Sequence, residues 1–114
     1  MHELSIAMSI VEMAEEESGR HGSARILSVH MRLGKLSGVV REALLSSYEM
    51  ACEATVLEGS RLVIEEVPVE IFCSKCATRR PLQTIQLFCC PVCGTPAMDV
   101  VQGKELEVIA LEFE

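Results

Sequence analysis

Two cysteine pairs with the same internal spacing are the residues best suited to chemistry in this sequence. Two residues separate Cys73 from Cys76 and Cys90 from Cys93, and thirteen residues lie between the pairs. A tight turn of this length aims both sulfurs of a pair at one ion, and two such turns complete a tetrahedral zinc site. Because four thiolates leave no position open for water, the pattern predicts a structural Zn(II).

Other uses of these cysteines stay open at this point. A disulfide within each turn is disfavoured because no secretory leader is visible. Reversible oxidation of the thiols with loss of zinc stays an alternative. Cys89 makes the register ambiguous, since a pairing of Cys89 with Cys93 is conceivable. The Cys-Pro-Val-Cys-Gly run favours Cys90 and leaves Cys89 as a spare thiol. Cys52 is interpreted as a small buried hydrophobe.

The opening residues Met-His-Glu form a second candidate metal site. The imidazole and amide nitrogen of His2 and the amine of Met1 can close chelate rings on one cation, and the Glu3 amide can take a fourth corner. Four nitrogens in a plane suit Ni(II) or Cu(II). The Glu3 carboxylate could bind axially or hold the imidazole. A solvated terminus without a metal is the alternative interpretation.

Apolar periodicity predicts the helices that must carry these sites. One helix is expected from Glu3 to about Gly19 and a second from about Val40 to Thr55. The buried stripe of the first helix is expected at Leu4, Ala7, Met8, Val11 and Ala14, widened by Ile6, Ile10 and Met13. That of the second is expected at Leu44, Tyr48, Ala51 and Thr55, with Leu45 and Cys52 beside it.

Three strands are predicted around the helices. Residues 24–33 alternate, with Leu27, Val29, Met31 and Leu33 inward and Ser28, His30 and Arg32 outward. Residues 61–72 read as one strand, with Pro68 at an edge or a bulge. The closing strand, 104–114, changes parity, which indicates a bulge or two covered faces. The predicted fold is α+β, with two helices on one face of a three-stranded mixed sheet and an inserted zinc-ribbon-like lobe.

A change of composition divides the chain into two predicted domains. Residues 1–70 and 101–114 would form an α/β domain that carries the N-terminal candidate metal site, which the resemblance named below makes a nickel-binding domain, and residues 71–100 a four-cysteine zinc-binding domain. The large apolar residues of the insertion are few, so metal binding must supply much of its folding energy. Most of them are Leu82, Ile85, Leu87 and Phe88.

Composition excludes several classes of function. The formal net charge of the 114 residues is −7, and no cluster of Lys or Arg suits nucleic acid. No apolar run is long enough to span a membrane, and without a signal peptide the cytoplasm is expected. Nucleophile–base constellations and Gly-rich phosphate loops are also missing, so an enzyme is not predicted.

Five segments together resemble the HypA/HybF family of hydrogenase nickel-incorporation proteins. They are MHELSIA, VHMRLGKLSGV, CSKC, CCPVCG and GKELEVIALEFE. The resemblance implies a nickel metallochaperone that carries Ni(II) at His2, with Glu3 beside it, and holds Zn(II) at Cys73, Cys76, Cys90 and Cys93. Implied partners are a HypB-type GTPase and the large subunit of [NiFe]-hydrogenase.

This sequence departs from the family pattern in three ways. Cys89 abuts a predicted ligand, Ala77 replaces a glycine after the first cysteine pair, and no histidine lies between the pairs. An alternative function is that of a zinc-ribbon adaptor, which docks maturation partners without itself carrying nickel. Whether the chain is a monomer or a homodimer, and whether urease is also served, stays open.

Overall fold

The computed structural model describes residues 2–82, 84, 87–97 and 99–114. They contain two helices, α1 (Glu3–Arg20) and α2 (Arg41–Cys52). The strands are β1 (Ile26–Gly34), β2 (Arg61–Val67), β3 (Glu70–Cys73), β4 (Thr78–Pro81), β5 (Val100–Gln102) and β6 (Leu106–Phe113). They form two three-stranded sheets, in the orders β2-β1-β6 and β4-β3-β5. The predicted α+β class is confirmed.

The chain divides into two compact units. Unit 1 comprises Met1–Arg32, Gly38–Glu65 and Glu107–Glu114, and unit 2 comprises Leu33–Ser37 and Glu66–Leu106. No helix within the described residues has the length and apolar character needed to cross a membrane.

The sheet that contains β1 is mixed. Hydrogen bonds from Ile26 to Val56 and from Lys35 to Val67 advance in the same direction along both segments, as in a parallel pair. The chain crosses over through α2 before it enters β2. Strand β2 therefore starts at the same end of the sheet as β1 and runs parallel to it.

The closing strand β6 runs in the opposite direction to β1. The Gly34 N–H donates to the Glu105 carbonyl, and the Glu114 N–H donates to the Arg25 carbonyl. Residue numbers therefore rise along one segment as they fall along the other, which is the antiparallel arrangement. The prediction that the last strand returns to the sheet of the first two is confirmed.

The buried face of α1 differs from the predicted stripe. Leu4 and Met8 are 43% and 52% exposed. With about 100° of rotation per residue, Met8 lies a quarter turn or more from the centre of the buried face. That face consists of Ala7, Ile10, Val11, Ala14 and Ser18, and the buried residues of α2 are Leu44, Tyr48 and Cys52.

The strict alternation predicted for β1 is wrong at its start. Leu27 is 43% exposed, whereas Ser28 is 1% exposed. Because β1 is the central strand of its sheet, residues on both of its faces can be covered. The buried Ser28 hydroxyl is satisfied by donating to Glu112 over 2.7 Å.

Two predicted elements end earlier than expected. Residues 61–72 are not one strand, because β2 ends at Val67 and β3 begins at Glu70 in a different sheet. Pro68 between them has no N–H to continue a ladder. The second helix ends at Cys52, where the Thr55 hydroxyl donates to the Cys52 carbonyl over 2.7 Å. Thr55 thus satisfies a last-turn carbonyl from outside the helix.

Unit 2 contains an antiparallel sheet that the sequence did not predict. Strand β3 pairs with β4 in the register Cys73↔Thr78, and with β5 through a bulge. Gly34 packs so tightly that an added Cβ would lie 2.1 Å from the Gly103 carbonyl oxygen. The buried residues of this unit include Val67, Val69, Ile71, Cys73, Cys90 and Ala97.

Candidate metal sites

Four cysteine sulfurs converge in unit 2. Those of Cys73, Cys76, Cys90 and Cys93 all lie within 4.8 Å of one another. Cys73 and Cys93 are 3.5 Å apart, and Cys76 and Cys90 are 4.0 Å apart. A tetrahedron with Zn–S bonds of about 2.3 Å has sulfurs about 3.8 Å apart, so the cluster has the dimensions of a zinc site.

The first knuckle, Cys73–Ala77, closes the hairpin between β3 and β4. Its turn aims the Cys76 N–H at the Cys73 sulfur, 3.4 Å away. Ala77 follows with a φ of 54°, which is the left-handed region. The hairpin therefore positions two sulfurs through backbone geometry alone.

The second knuckle, Cys90–Thr95, is built by backbone bonds around the cysteines. The Cys90 N–H donates to the Thr95 carbonyl, and the Gly94 N–H donates to the Cys90 carbonyl, each over 2.9 Å. Gly94 has a φ of 77°, in the left-handed region that favours glycine. An isolated antiparallel bridge between Cys89 and Pro96 flanks the turn.

Neighbouring groups give Cys76, Cys90 and Cys93 different acidities. The hydroxyl and amide of Thr95 lower the pKa of Cys93 to about 6, and the amides of Cys93 and Val92 lower the pKa of Cys90. The Arg80 guanidinium lowers the pKa of Cys76, but the Cys93 sulfur, burial and the other two sulfurs outweigh it and raise that pKa to about 11. Both cysteines of the second knuckle therefore present thiolates more readily than Cys76 does.

The other two cysteines lie outside this cluster. Cys89 is a free, partly exposed thiol, and it is Cys90 that joins the four sulfurs. Cys52 is 3% exposed on the inner side of α2, 3.9 Å from the Ser60 hydroxyl. Burial raises the pKa of Cys52, which keeps it a neutral thiol.

The predicted N-terminal site lies at the start of α1. His2 is exposed and is the N-cap of the helix, with φ −86° and ψ 110° and no side-chain cap bond. Its carbonyl accepts the Ile6 N–H over 3.2 Å. Met1, the third predicted nickel ligand, lies outside the described residues.

The Glu3 carboxylate has a partner that the sequence did not predict. It accepts the N–H of Val40, the N-cap residue of α2, over 3.0 Å. This bond is also the largest cause of the lowered pKa of Glu3. The carboxylate thus links the first turns of the two helices.

A third polar cluster was missed by the sequence reasoning. Ser28 lies 3.1 Å from the His30 Nε2 and donates to Glu112. The alternation of β1 placed Ser28 and His30 on one face, but only the pairing with β6 brings Glu112 to them. Ser28 is 1% exposed and already bonded on both sides, so the cluster secures a sheet rather than presenting a nucleophile. The third histidine, His21, stacks on Phe113 with ring centroids 4.6 Å apart.

Comparison with known proteins extends this picture. A family model described as hydrogenase/urease nickel incorporation, metallochaperone, hypA, matches residues 1–113. A hydrogenase maturation factor HypA from Roseiflexus sp. (strain RS-1) is 52% identical over 114 residues, which cover 100% of this chain and 93% of that protein. The corresponding factor from Geobacter metallireducens is 43% identical, with 100% of both chains covered.

Solved structures agree in fold. The solution structure of the Ni metallochaperone HypA from Helicobacter pylori aligns with a TM-score of 0.66 at 24% identity, covering 99% of this chain and 97% of that one. A solution structure of a HypA protein aligns with a TM-score of 0.73 at 24% identity, covering 100% and 97%. Since the family model spans nearly every residue and relatives match along their whole length, the chain belongs to the HypA family of nickel-incorporation metallochaperones.

Proposed function

We propose that this chain is a nickel metallochaperone that binds Ni(II) at its N-terminus and assists nickel insertion into the large subunit of [NiFe]-hydrogenase. Membership of the HypA family supports delivery of nickel as the function. The observation that carries the site is the position of His2 at the N-cap of α1.

The first turn of a helix offers unused backbone nitrogens. The first four N–H groups have no acceptor within the helix, so the amides of His2 and Glu3 are available as metal ligands. With the Met1 amine and the His2 imidazole they make a planar set of four nitrogens, which suits Ni(II). The Glu3 carboxylate holds this turn to Val40, so Glu3 would contribute its amide to the metal and its side chain to the support of the site.

The helix dipole makes this site suitable for release as well as binding. A cation at a helix N-terminus is disfavoured by roughly 0.3–1 kcal/mol. Loss of two amide protons would cancel the double charge of Ni(II) and remove that penalty, so binding weakens when the amides regain their protons. An exposed site with this property can give up its cargo to a partner.

Zinc is the second metal of the proposal, held structurally by Cys73, Cys76, Cys90 and Cys93. The all-sulfur donor set and the sulfur spacing support it. Residues 1–70 and 101–114 would carry nickel, and residues 71–100 would carry zinc. Four thiolates leave no open position for water, so we assign the zinc no catalytic role and the chain no enzymatic activity.

The partners follow from the same proposal. A chaperone that gives up nickel at an exposed terminus needs an acceptor, the hydrogenase large subunit, and a HypB-type GTPase would act with it. We place the exchange in the cytoplasm.

Nickel titration of four proteins tests the site. They are the chain beginning at Met1, the same chain extended ahead of Met1, His2→Ala and the control His21→Ala, which changes an exposed histidine at the other end of α1. We expect the extension and His2→Ala to weaken nickel binding more than about 100-fold, since losing a ligand exceeds the cost of losing an outer partner. His21→Ala should bind as the parent does.

Calorimetry measures the nickel affinity of each protein, and zinc analysis of the same samples measures its zinc content. Each protein should retain one zinc, because the cysteine cluster is unchanged. Equal nickel affinity in the extended and the native-start chains would overturn the terminal site. One zinc without stoichiometric nickel in any sample would favour the adaptor function instead.

A further inference from the structure

Arg80 is a half-buried cation that no carboxylate neutralises within the described residues. Its Nε is buried and has no hydrogen-bond partner. The arginines that do form ion pairs in this part of the chain are Arg20, Arg32, Arg41 and Arg79. A buried charge without compensation is unfavourable, so the surroundings of Arg80 should supply negative charge in the functional state.

The surroundings of Arg80 are sulfur. On β4, Arg80 pairs with Ile71, two residues before Cys73 on the neighbouring strand. Its guanidinium lies within hydrogen-bonding reach of the sulfurs of Cys76 and Cys90. One side chain therefore faces a candidate ligand from each knuckle.

Donors to the four sulfurs are distributed unequally. The Cys73 sulfur receives the Cys76 amide, and the Cys90 sulfur receives the amides of Val92 and Cys93. The Cys93 sulfur receives the Thr95 amide and lies 3.1 Å from the Thr95 hydroxyl. In the described part of the chain, the Cys76 sulfur has neither a backbone nor a hydroxyl donor, which leaves Arg80 as its outer partner.

The sequence of the knuckles explains this gap. Both continue with a small residue and a threonine, Ala77-Thr78 and Gly94-Thr95. The Thr95 hydroxyl lies beside the sulfur of Cys93, the second cysteine of its knuckle, whereas Thr78 begins β4 and is exposed. Arg80, two residues further along the same strand, is the outer partner of Cys76, as Thr95 is the outer partner of Cys93.

We propose that Arg80 is a positioning residue for zinc, which neutralises the thiolate cluster from the side of Cys76 and Cys90 and slows release of the ion. Zn(II) with four thiolates carries a net charge of about −2, and an adjacent guanidinium favours that charged state over protonated, dissociated thiols. The inference rests on the proposed zinc occupancy.

The neighbouring residue provides a matched control. Arg79 is on the opposite face of β4, 55% exposed, and paired with Glu70 over 3.0 Å. Arg79→Gln therefore removes the same charge from the same strand without touching the sulfurs. Zinc transfer from the full-length, zinc-loaded protein to excess EDTA measures release directly.

We expect Arg80→Gln to release zinc about 10-fold faster than the parent, because loss of an outer partner of a metal ligand weakens affinity about 10–100-fold. Arg79→Gln should stay within about twofold of the parent rate, as expected for a screened surface pair. Arg80→Lys should fall between, because it keeps the charge but loses the planar fork of donors.

Cobalt supplies a readout that a general loss of stability would not move. The thiolate-to-cobalt charge-transfer band of the Co(II)-substituted protein should shift in Arg80→Gln and not in Arg79→Gln. If Arg80→Gln does not retain metal on purification, zinc release and the cobalt band are both measured on Arg80→Lys instead.

The results separate this inference from the proposed function. Equal release rates and unshifted cobalt bands in the Arg80 and Arg79 variants would overturn the role of Arg80 while leaving zinc in place. A parent protein that binds no zinc would overturn the zinc occupancy and this inference together.

Discussion

Unit 1 and unit 2 bury different kinds of side chain. The interior of unit 1 is aliphatic and comes from both helices and the sheet, with Ala14, Ile26, Val29, Met31 and Leu44 all at or below 1% exposure. Unit 2 buries a shorter aliphatic row, Val67, Val69 and Ile71, and completes it with Cys73 and Cys90. Two of its buried groups are thus candidate metal ligands.

This difference shows two solutions to the same problem within one chain. A small unit buries too little apolar surface to offset the entropy of ordering its backbone, and metals or cross-links commonly supply the rest. Unit 1 contains both helices. Unit 2 has none within the described residues, so its stability should depend on the thiolate cluster.

Loss of zinc gives the largest expected contrast between the units. Structural zinc contributes about 10–16 kcal/mol in zinc-finger peptides, which is comparable with the whole stability of a domain. In Cys93→Ser, or after chelation, we expect amides of β3 and β4 to lose protection from hydrogen exchange while those of α1 and β1 keep theirs.

Cys89→Ser is the matched control for this prediction. It removes a neighbouring thiol that lies outside the cluster, so zinc content and exchange should match those of the parent. Protection of β3 that persisted in zinc-free Cys93→Ser would show that unit 2 does not need the metal.

The two units should also respond to pH in opposite directions. Burial raises the pKa of Tyr48, whose hydroxyl lies 2.7 Å from that of Ser60. Folded unit 1 therefore keeps a proton that the unfolded chain loses above about pH 10, and its stability should fall as the pH rises past that value. Acid should instead destabilise unit 2, because protons compete with zinc for thiolates.

Tyr48→Phe tests the alkaline half of this contrast. We expect it to lose about 1 kcal/mol near neutral pH from the missing hydrogen bond, and to show a shallower decline of unfolding free energy in alkali. Ser60→Ala removes the same hydrogen bond but keeps the phenol, so it should retain the steep decline. Parallel pH profiles for the two variants would mean that Tyr48 does not titrate with unfolding.

The smallest expected effect distinguishes the two knuckles of unit 2. Ala77 and Gly94 follow the second cysteine of each knuckle, with φ of 54° and 77°. A side chain in this region costs about 1–2 kcal/mol, partly offset by the lower chain entropy of alanine. An added Cβ at Gly94 meets nothing within 4 Å, so conformation alone decides the outcome.

We therefore expect Gly94→Ala to destabilise the zinc-loaded protein and Ala77→Gly to stabilise it, each by up to about 1 kcal/mol in denaturant titrations. Changes of the same sign in both variants would show that the knuckles are not equivalent turns.

The features predicted correctly from the sequence are those with a local pattern. The cysteine spacing selected the four sulfurs that converge, and periodicity found both helices, because each signal lies within a few residues. The sequence missed the break at Pro68 and the sheet around β3, since strands of three or four residues have too little periodicity to be recognised.

Exposure of single residues depends on non-local contacts. Leu4, Met8 and Leu27 have the pattern of core residues, yet the partners that would cover them are absent in the described structure. The contacts of Glu3 and Arg80 were not predicted for the same reason. The Val40 amide is distant from Glu3 in sequence. The pairing of β3 with β4 brings Arg80 to the sulfurs.

The position of β6 at the end of the order of elements has a consequence for biosynthesis. Every residue of unit 2 precedes Glu107, whereas the sheet of unit 1 needs β6 to complete it. During translation the cysteine lobe is therefore fully synthesised while β1 still has one unpaired edge. If zinc binds the lobe before β6 has paired with β1, only one sheet is still incomplete, whereas scarcity of zinc leaves two incomplete sheets exposed to aggregation at once.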